Sequence, residues 1–107
     1  MYRVTTPTYT FTLPIQTSAC KEIQATFKQG KIDLEKHYEN STLPSGMTLN
    51  GKDVTIHLTQ EETKAFDADH IVEAQIRVLT NEDEAYASQM FSVHVNDVLN
   101  EEILADE

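Results

Sequence analysis

Ten residues, Ile71-Val-Glu-Ala-Gln-Ile-Arg-Val-Leu-Thr80, place Val72, Ala74, Ile76 and Val78 on one face of an extended chain. Glu73, Gln75 and Arg77 fall on the other. A period of two belongs to a half-buried β-strand, because successive side chains point to opposite faces of a sheet. A polar turn at Asn81, Glu82, Asp83 and Glu84 follows, and then a strand with Phe91, Val93 and Val95 in register. This is the strongest hairpin in the chain, and it predicts the centre of one sheet.

The same test applied from the beginning gives further short strands. Tyr9, Phe11 and Leu13 alternate with Thr8, Thr10 and Thr12 over Thr8 to Leu13, and Pro14 ends that strand. The threonine row reads as an exposed face or an edge. Ile23, Ala25 and Phe27 define a strand over Lys21 to Lys28, and Gln29-Gly30 turns it into a third running from Ile32 to about His37. Residues 38–46 form a loop. Met47 and Leu49 precede Asn50-Gly51, the preferred dipeptide of a type I′ turn, and Val54, Ile56 and Leu58 follow. Thr59-Gln-Glu-Glu62 fits a capping box for a helix over Gln60 to Phe66, with Ala65 and Phe66 lidding the core. The last strand, Ala85 to Val95, changes phase between Tyr86 and Phe91, which calls for a bulge near Ser88-Gln89.

About seven short strands with turns roughly every ten residues, and one short helix, are the pattern of an all-β, immunoglobulin-like antiparallel β-sandwich. Immunoglobulin-like describes architecture alone, since the Cys and Trp hallmarks of an antibody domain are absent. The 107 residues suit a single domain over 1–97 and an acidic tail over 98–107.

Net charge is −10, which opposes any sequence-independent grip on nucleic acid. Residues 1–52 hold six basic and four acidic side chains, and residues 53–107 hold two and fourteen, so a polar subunit that associates head to tail is one reading. Cys20 has no partner for a disulfide and precedes a strand, so it reads as a small buried apolar side chain. The opening Met-Tyr-Arg-Val-Thr-Thr has neither basic nor apolar leader character, and no stretch is long enough to span a bilayer. The expected product is made in the cytoplasm without a signal peptide and does not insert into membranes.

No motif has the chemistry of catalysis. His37, His57, His70 and His94 lack helical partners at ligand spacing, and Asp67-Ala-Asp-His70 lacks the glycine and closing glutamate of a calcium loop. No Gly-x-Ser-x-Gly elbow and no phosphate-cradling glycine loop occurs. The expectation is no enzyme, no metal and no cofactor. Partner-binding candidates are Thr8, Thr10 and Thr12 on the first strand, together with Val98, Leu99, Ile103 and Leu104, apolar residues that interrupt the acidic tail. A helical turn would present these four together; they either fold back as a last strand or helix on their own domain or dock on a neighbouring subunit. A small ligand-binding module, chiefly for a cell-surface glycan, is the alternative, with Tyr2, Tyr38 and Tyr86 as its aromatic candidates.

The segments Tyr2-Arg-Val-Thr-Thr-Pro-Thr-Tyr-Thr-Phe-Thr-Leu-Pro14, Leu58-Thr-Gln-Glu-Glu-Thr63 and Glu73-Ala-Gln-Ile-Arg-Val-Leu79 resemble a group of small proteins encoded in bacteriophages and prophages of Gram-positive bacteria. The resemblance covers most of residues 2–104 and carries no catalytic residue. It implies a β-sandwich encoded near virion genes. The strand order, the helix before the penultimate strand and the closing Ser-x-x-Phe-x-Val also resemble the N-terminal domain of phage upper-baseplate proteins at the level of fold, which does not fix function. The expected role is therefore a non-enzymatic structural or assembly protein of a tail, baseplate or head-joining complex. Its partners would be copies of itself, as a homo-oligomer, or other virion proteins, and incorporation into the virion is open to it.

Overall fold

The computed structural model describes residues 1–88 and 90–104. Gln89 of the expected bulge and residues 105–107 of the expected tail lie outside the described residues. The chain forms two antiparallel sheets and one short helix, an all-β sandwich. The smaller sheet has the order β1 (Thr8–Thr12), β5 (Asp53–His57), β4 (Met47–Asn50). The larger runs β3 (Ile32–Glu39), β2 (Cys20–Gln29), β6 (Ile71–Thr80), and then β7 (Ala85–Ala87) and β8 (Phe91–His94), which both pair with β6. The two-sheet architecture is the expected one, but its connectivity differs from that of an antibody domain. An antibody constant domain keeps its second strand in the sheet of the first, whereas β2 here lies in the other sheet, between β3 and β6.

The run from Ile71 to Thr80 forms a single strand over its whole length, but its principal partner is β2 rather than the strand that follows it. Phe27 lies opposite Ala74, Ala25 opposite Ile76 and Ile23 opposite Val78, so the inward phases of both strands coincide. A register shift between Cys20 and Glu22 turns Cys20 inward as well. Against this face the smaller sheet sets Phe11, Met47, Val54 and Ile56, with Leu58 and Phe66 closing one end. Phe66 lids the core as the sequence predicts, but Ala65 stays exposed because α1 (Gln60–Lys64) ends before it. Aromatic contacts link the two layers: Tyr9 lies 5.8 Å from Phe27 and 6.0 Å from Phe91, and Phe11 lies 5.1 Å from Phe91, between ring centroids. Such pairs contribute beyond the area they bury.

The phase change in the last strand is real. Tyr86 pairs with inward Val78, while Phe91 and Val93 pair with inward Ala74 and Val72. The inward face therefore moves from even to odd positions between the two pieces. At the break, the Ile76 amide donates to the Ser88 hydroxyl at 2.9 Å, and the Ser88 amide donates to the Ile76 carbonyl at 2.8 Å. A side chain thus stands in for one missing rung of the ladder.

Two turns use left-handed glycines. Gly30 opens the β2–β3 hairpin, and Gly51 opens the β4–β5 hairpin. The second turn lies one residue later than the dipeptide rule suggests, because Asn50 is already paired with Asp53 and the bend falls on Gly51-Lys52. Gly46 is the most constrained of the three. It has φ +83°, its carbonyl accepts from the His57 amide at 2.7 Å, and a Cβ there would overlap the His57 carbonyl.

Polar groups join the helix and loops to the sheets. Thr59 and Glu62 form the expected capping box, with the Thr59 amide donating to Glu62 Oε1 at 2.8 Å and the Glu62 amide donating to Thr59 Oγ1 at 3.2 Å. Thr63, fully buried, donates to the Thr5 carbonyl at 2.9 Å and accepts from the Thr5 amide at 3.0 Å. Gln29 does the same for Asp67, donating to its carbonyl and accepting from its amide. Lys36 occupies an inward position of β3 and is buried, its ammonium donating to the Ser45 carbonyl at 2.9 Å and lying 2.7 Å from Glu62 Oε2. Burial opposes ionisation of Glu62, but hydrogen bonds from Lys36 and Thr59, together with the Lys36 charge, outweigh it and hold its carboxyl below the ordinary range.

Gly46→Ala is expected to lower stability by at least about 2 kcal/mol, from the left-handed backbone and the overlap together, read as a shifted urea midpoint. Because the pKa of Glu62 is lowered on folding, its contribution is present above the ordinary glutamate value of about 4.3 and is lost as pH falls through the lowered value. Glu62→Gln should cost about 1–2 kcal/mol at pH 7, discounted for the partly exposed carboxylate, and the variant should lose less stability than the parent on acidification. An equal acid loss in both proteins would contradict the assignment.

Candidate interaction surface

After β8 the chain passes Val95, which is fully buried, and runs across the helix end of the sandwich. Arg3 organises this region. Its guanidinium donates to the carbonyls of Phe66 at 2.8 Å and Lys64 at 3.0 Å, where α1 ends. It also pairs with Asp97 at 3.0 Å and with Glu101. Cationic donors suit the negative end of a helix, and the planar fork of Arg serves carbonyls and carboxylates together. Farther along, Gln60 donates to the Leu104 carbonyl and accepts from the Leu104 amide, both at 2.9 Å. The segment is therefore held at both ends by side chains of the domain.

Between these anchors Val98 is half-buried, whereas Leu99 is fully exposed and Leu104 is 70% exposed. Ile103 is exposed to a smaller extent. The expected helical turn is not formed over residues 97–104. Backbone bonding to Gln60 and the Arg3 pairs space the segment out, and the Asp97 and Asn100 side chains accept from the amides of Val98 and Glu102, local bonds that compete with helix. The apolar candidates stand along a tethered segment instead of on one helical face. Arg3 and Gln60 were not legible as anchors, because each acts on residues more than forty positions away.

Thr8, Thr10 and Thr12 are exposed on β1, which is an edge of the smaller sheet. Their hydroxyls bond across to β5: Thr8 to His57 Nδ1 at 2.8 Å, Thr10 to Thr55 at 3.2 Å and Thr12 to Asp53 at 2.8 Å. The row is thus a polar cross-strand ladder with its own partners, and its value to a neighbour lies in the adjacent backbone edge.

Between the ends of β1 and the β7–β8 break the sandwich opens into a cleft of about 450 Å³, lined by Phe11, Leu13, Ile76, Val78, Tyr86 and Met90 among others. The interrupted strand leaves this side of the core partly uncovered, so the lining is mainly apolar. Tyr86 stands exposed at the rim and donates to Glu84 Oε2 at 2.9 Å, and this hydrogen bond, with the Glu84 charge, raises its pKa. Tyr38 is half-buried and packs against the core, while Tyr2 is exposed elsewhere. Cys20 is buried, and burial raises its thiol pKa, which disfavours the reactive thiolate.

Of the histidines, His37 is the one drawn into a cluster. Its Nε2 lies 3.0 Å from Glu22 Oε1, beside a shallow depression also lined by Gln24, Arg77 and Leu79. Donor atoms of Glu22, His37 and Glu39 lie within 4.8 Å of one another, a grouping the sequence reading missed. Counting outward from the Gly30-Lys31 turn sets Glu22 opposite Glu39 and Gln24 opposite His37, so the signal was present in the hairpin register. Among the described residues no helix is long and apolar enough to cross a membrane.

No protein-family model matches this chain, and no curated protein matches it significantly.

Arg3→Ala removes the bonds from this side chain to residues 64, 66, 97 and 101 at once. Limited proteolysis should then cut within residues 97–104 several-fold faster, with the β-type circular dichroism spectrum unchanged. Unchanged cleavage would show that Arg3 does not hold the segment.

Proposed function

We propose that the chain is a non-enzymatic structural or assembly protein that works through protein–protein contacts. The observation that supports this most directly is the apolar pair Leu99 and Leu104, exposed on a segment that Arg3 and Gln60 tie to the domain. Exposed leucines gain by leaving water, and a segment already held in place loses less entropy on docking than a free one. The outer edge of β1, which pairs with no strand among the described residues, adds a second surface, since an unpaired strand edge accepts a neighbour's strand. The partners are copies of the chain or other proteins of the same particle. A phage or prophage setting, in a tail, baseplate or head-joining complex, is supported by the sequence resemblance.

Tyr86 at the rim of the apolar cleft favours a second reading, a small ligand-binding module for a cell-surface glycan. Sugar rings stack on exposed aromatic faces, so Tyr86→Ala would abolish cell-wall polysaccharide binding under that reading and leave it unchanged under the first.

Light scattering on the full chain and on a chain ending at Asp97 tests the principal reading. The full chain is expected to have the mass of an oligomer and the shortened one that of a monomer, with the same β spectrum. Leu99→Ser with Leu104→Ser should give the same loss without deletion. A full chain that stays monomeric at high concentration and binds no virion protein would overturn the proposal, as would a shortened chain that unfolds, since the segment would then serve its own domain.

A further inference from the structure

We infer that Glu22, His37 and Glu39 form a surface site for a divalent first-row transition-metal ion, zinc foremost. The donors come from two adjacent strands whose register is fixed by eight paired positions. Glu22 and Glu39 face each other directly, and His37 sits one step along the same outer face, opposite Gln24. Two carboxylates directly opposite on antiparallel strands repel each other. The hydrogen bond from His37 to Glu22 relieves this in part, and a divalent cation between the three groups would convert the repulsion into attraction.

The donor atoms already lie within 4.8 Å of one another. All three side chains are at least partly exposed, so rotation about their terminal bonds can bring them onto a common ion without disturbing the core. To ligate, the His37 imidazole exchanges its bond to Glu22 for the metal, and Glu22 turns from hydrogen-bond acceptor to ligand. One imidazole nitrogen with two carboxylate oxygens is a mixed donor set. It suits zinc, cobalt, nickel or copper, whereas magnesium and calcium prefer oxygen alone. Three protein ligands on an open sheet face leave at least one position to water or to a group from a partner. Arg77 stands on the far side of β2, opposite Gln24, so the metal site lies on the β3 side of the strand.

Isothermal titration of the full chain with zinc chloride, with magnesium chloride as control, tests the site. The expected result is saturable uptake of one zinc ion, a rise in melting temperature with zinc, and no uptake of magnesium. His37→Ala and Glu39→Gln should each weaken zinc binding by at least roughly tenfold, since loss of even a supporting group outside the ligand set costs that much. Both positions are solvent-facing, and an unchanged β spectrum checks that each variant is folded. Glu39→Gln should also melt no lower than the parent without zinc, because it removes a like-charge pair. No saturable zinc uptake by the parent, or zinc binding that survives His37→Ala undiminished, would overturn the assignment.

Discussion

The antiparallel pairing of β2 with β6 is the constraint on which the rest of the molecule depends. Each strand is ten residues long, and their registered inward faces supply Ile23, Ala25, Phe27, Val72, Ala74, Ile76 and Val78 to one continuous apolar surface. Both are interior strands, so each has a ladder partner on either side. The smaller sheet has no comparable strand: its members are four or five residues long and are held by the core they cover. Removing Phe27 alone would open a cavity of the type that costs about 3–5 kcal/mol.

From that pairing the polar architecture follows. Once the larger sheet is set, the ends of the sandwich must be closed by segments whose backbone groups need partners. Thr63, Gln29 and Gln60 each supply both a donor and an acceptor to one backbone residue, at Thr5, Asp67 and Leu104. Lys36 with Glu62 and Arg3 with Asp97 do the same work with charge. The outcome is a domain with an apolar interior and a set of tethered segments around it. The exposed leucines beyond β8 belong to one of those segments. Their exposure goes with anchored backbone, and the proposed docking role rests on that combination.

Much of this was legible wherever the determining contacts are local. The β6 strand, the Thr59–Glu62 capping box and the β2–β3 hairpin each rest on residues within a few positions of one another, or on a count outward from one glycine. The phase problem around Tyr86 and Phe91 also announced itself, since no unbroken strand can face both inward. Lys36 was not legible. It continues the Ile32, Leu34 phase of β3, but a lysine is read as polar until Glu62 and the Ser45 carbonyl are seen beside it. Arg3 was missed for the same reason, as its partners are fixed by topology. The Glu22, His37 and Glu39 grouping lay between these cases: the register is countable from the turn, but the three residues come together only when β2 and β3 are set against each other.

Native-state hydrogen exchange measures the central claim most directly. If the β2–β6 pair holds the sandwich together, the amides of Gln24, Thr26, Gln75 and Arg77, which face one another across it, exchange only through global unfolding and share one free energy, while amides of residues 97–104 exchange far faster. If the β6 amides exchange through local opening, at rates like those of β7 and β8, the pair is not the foundation described.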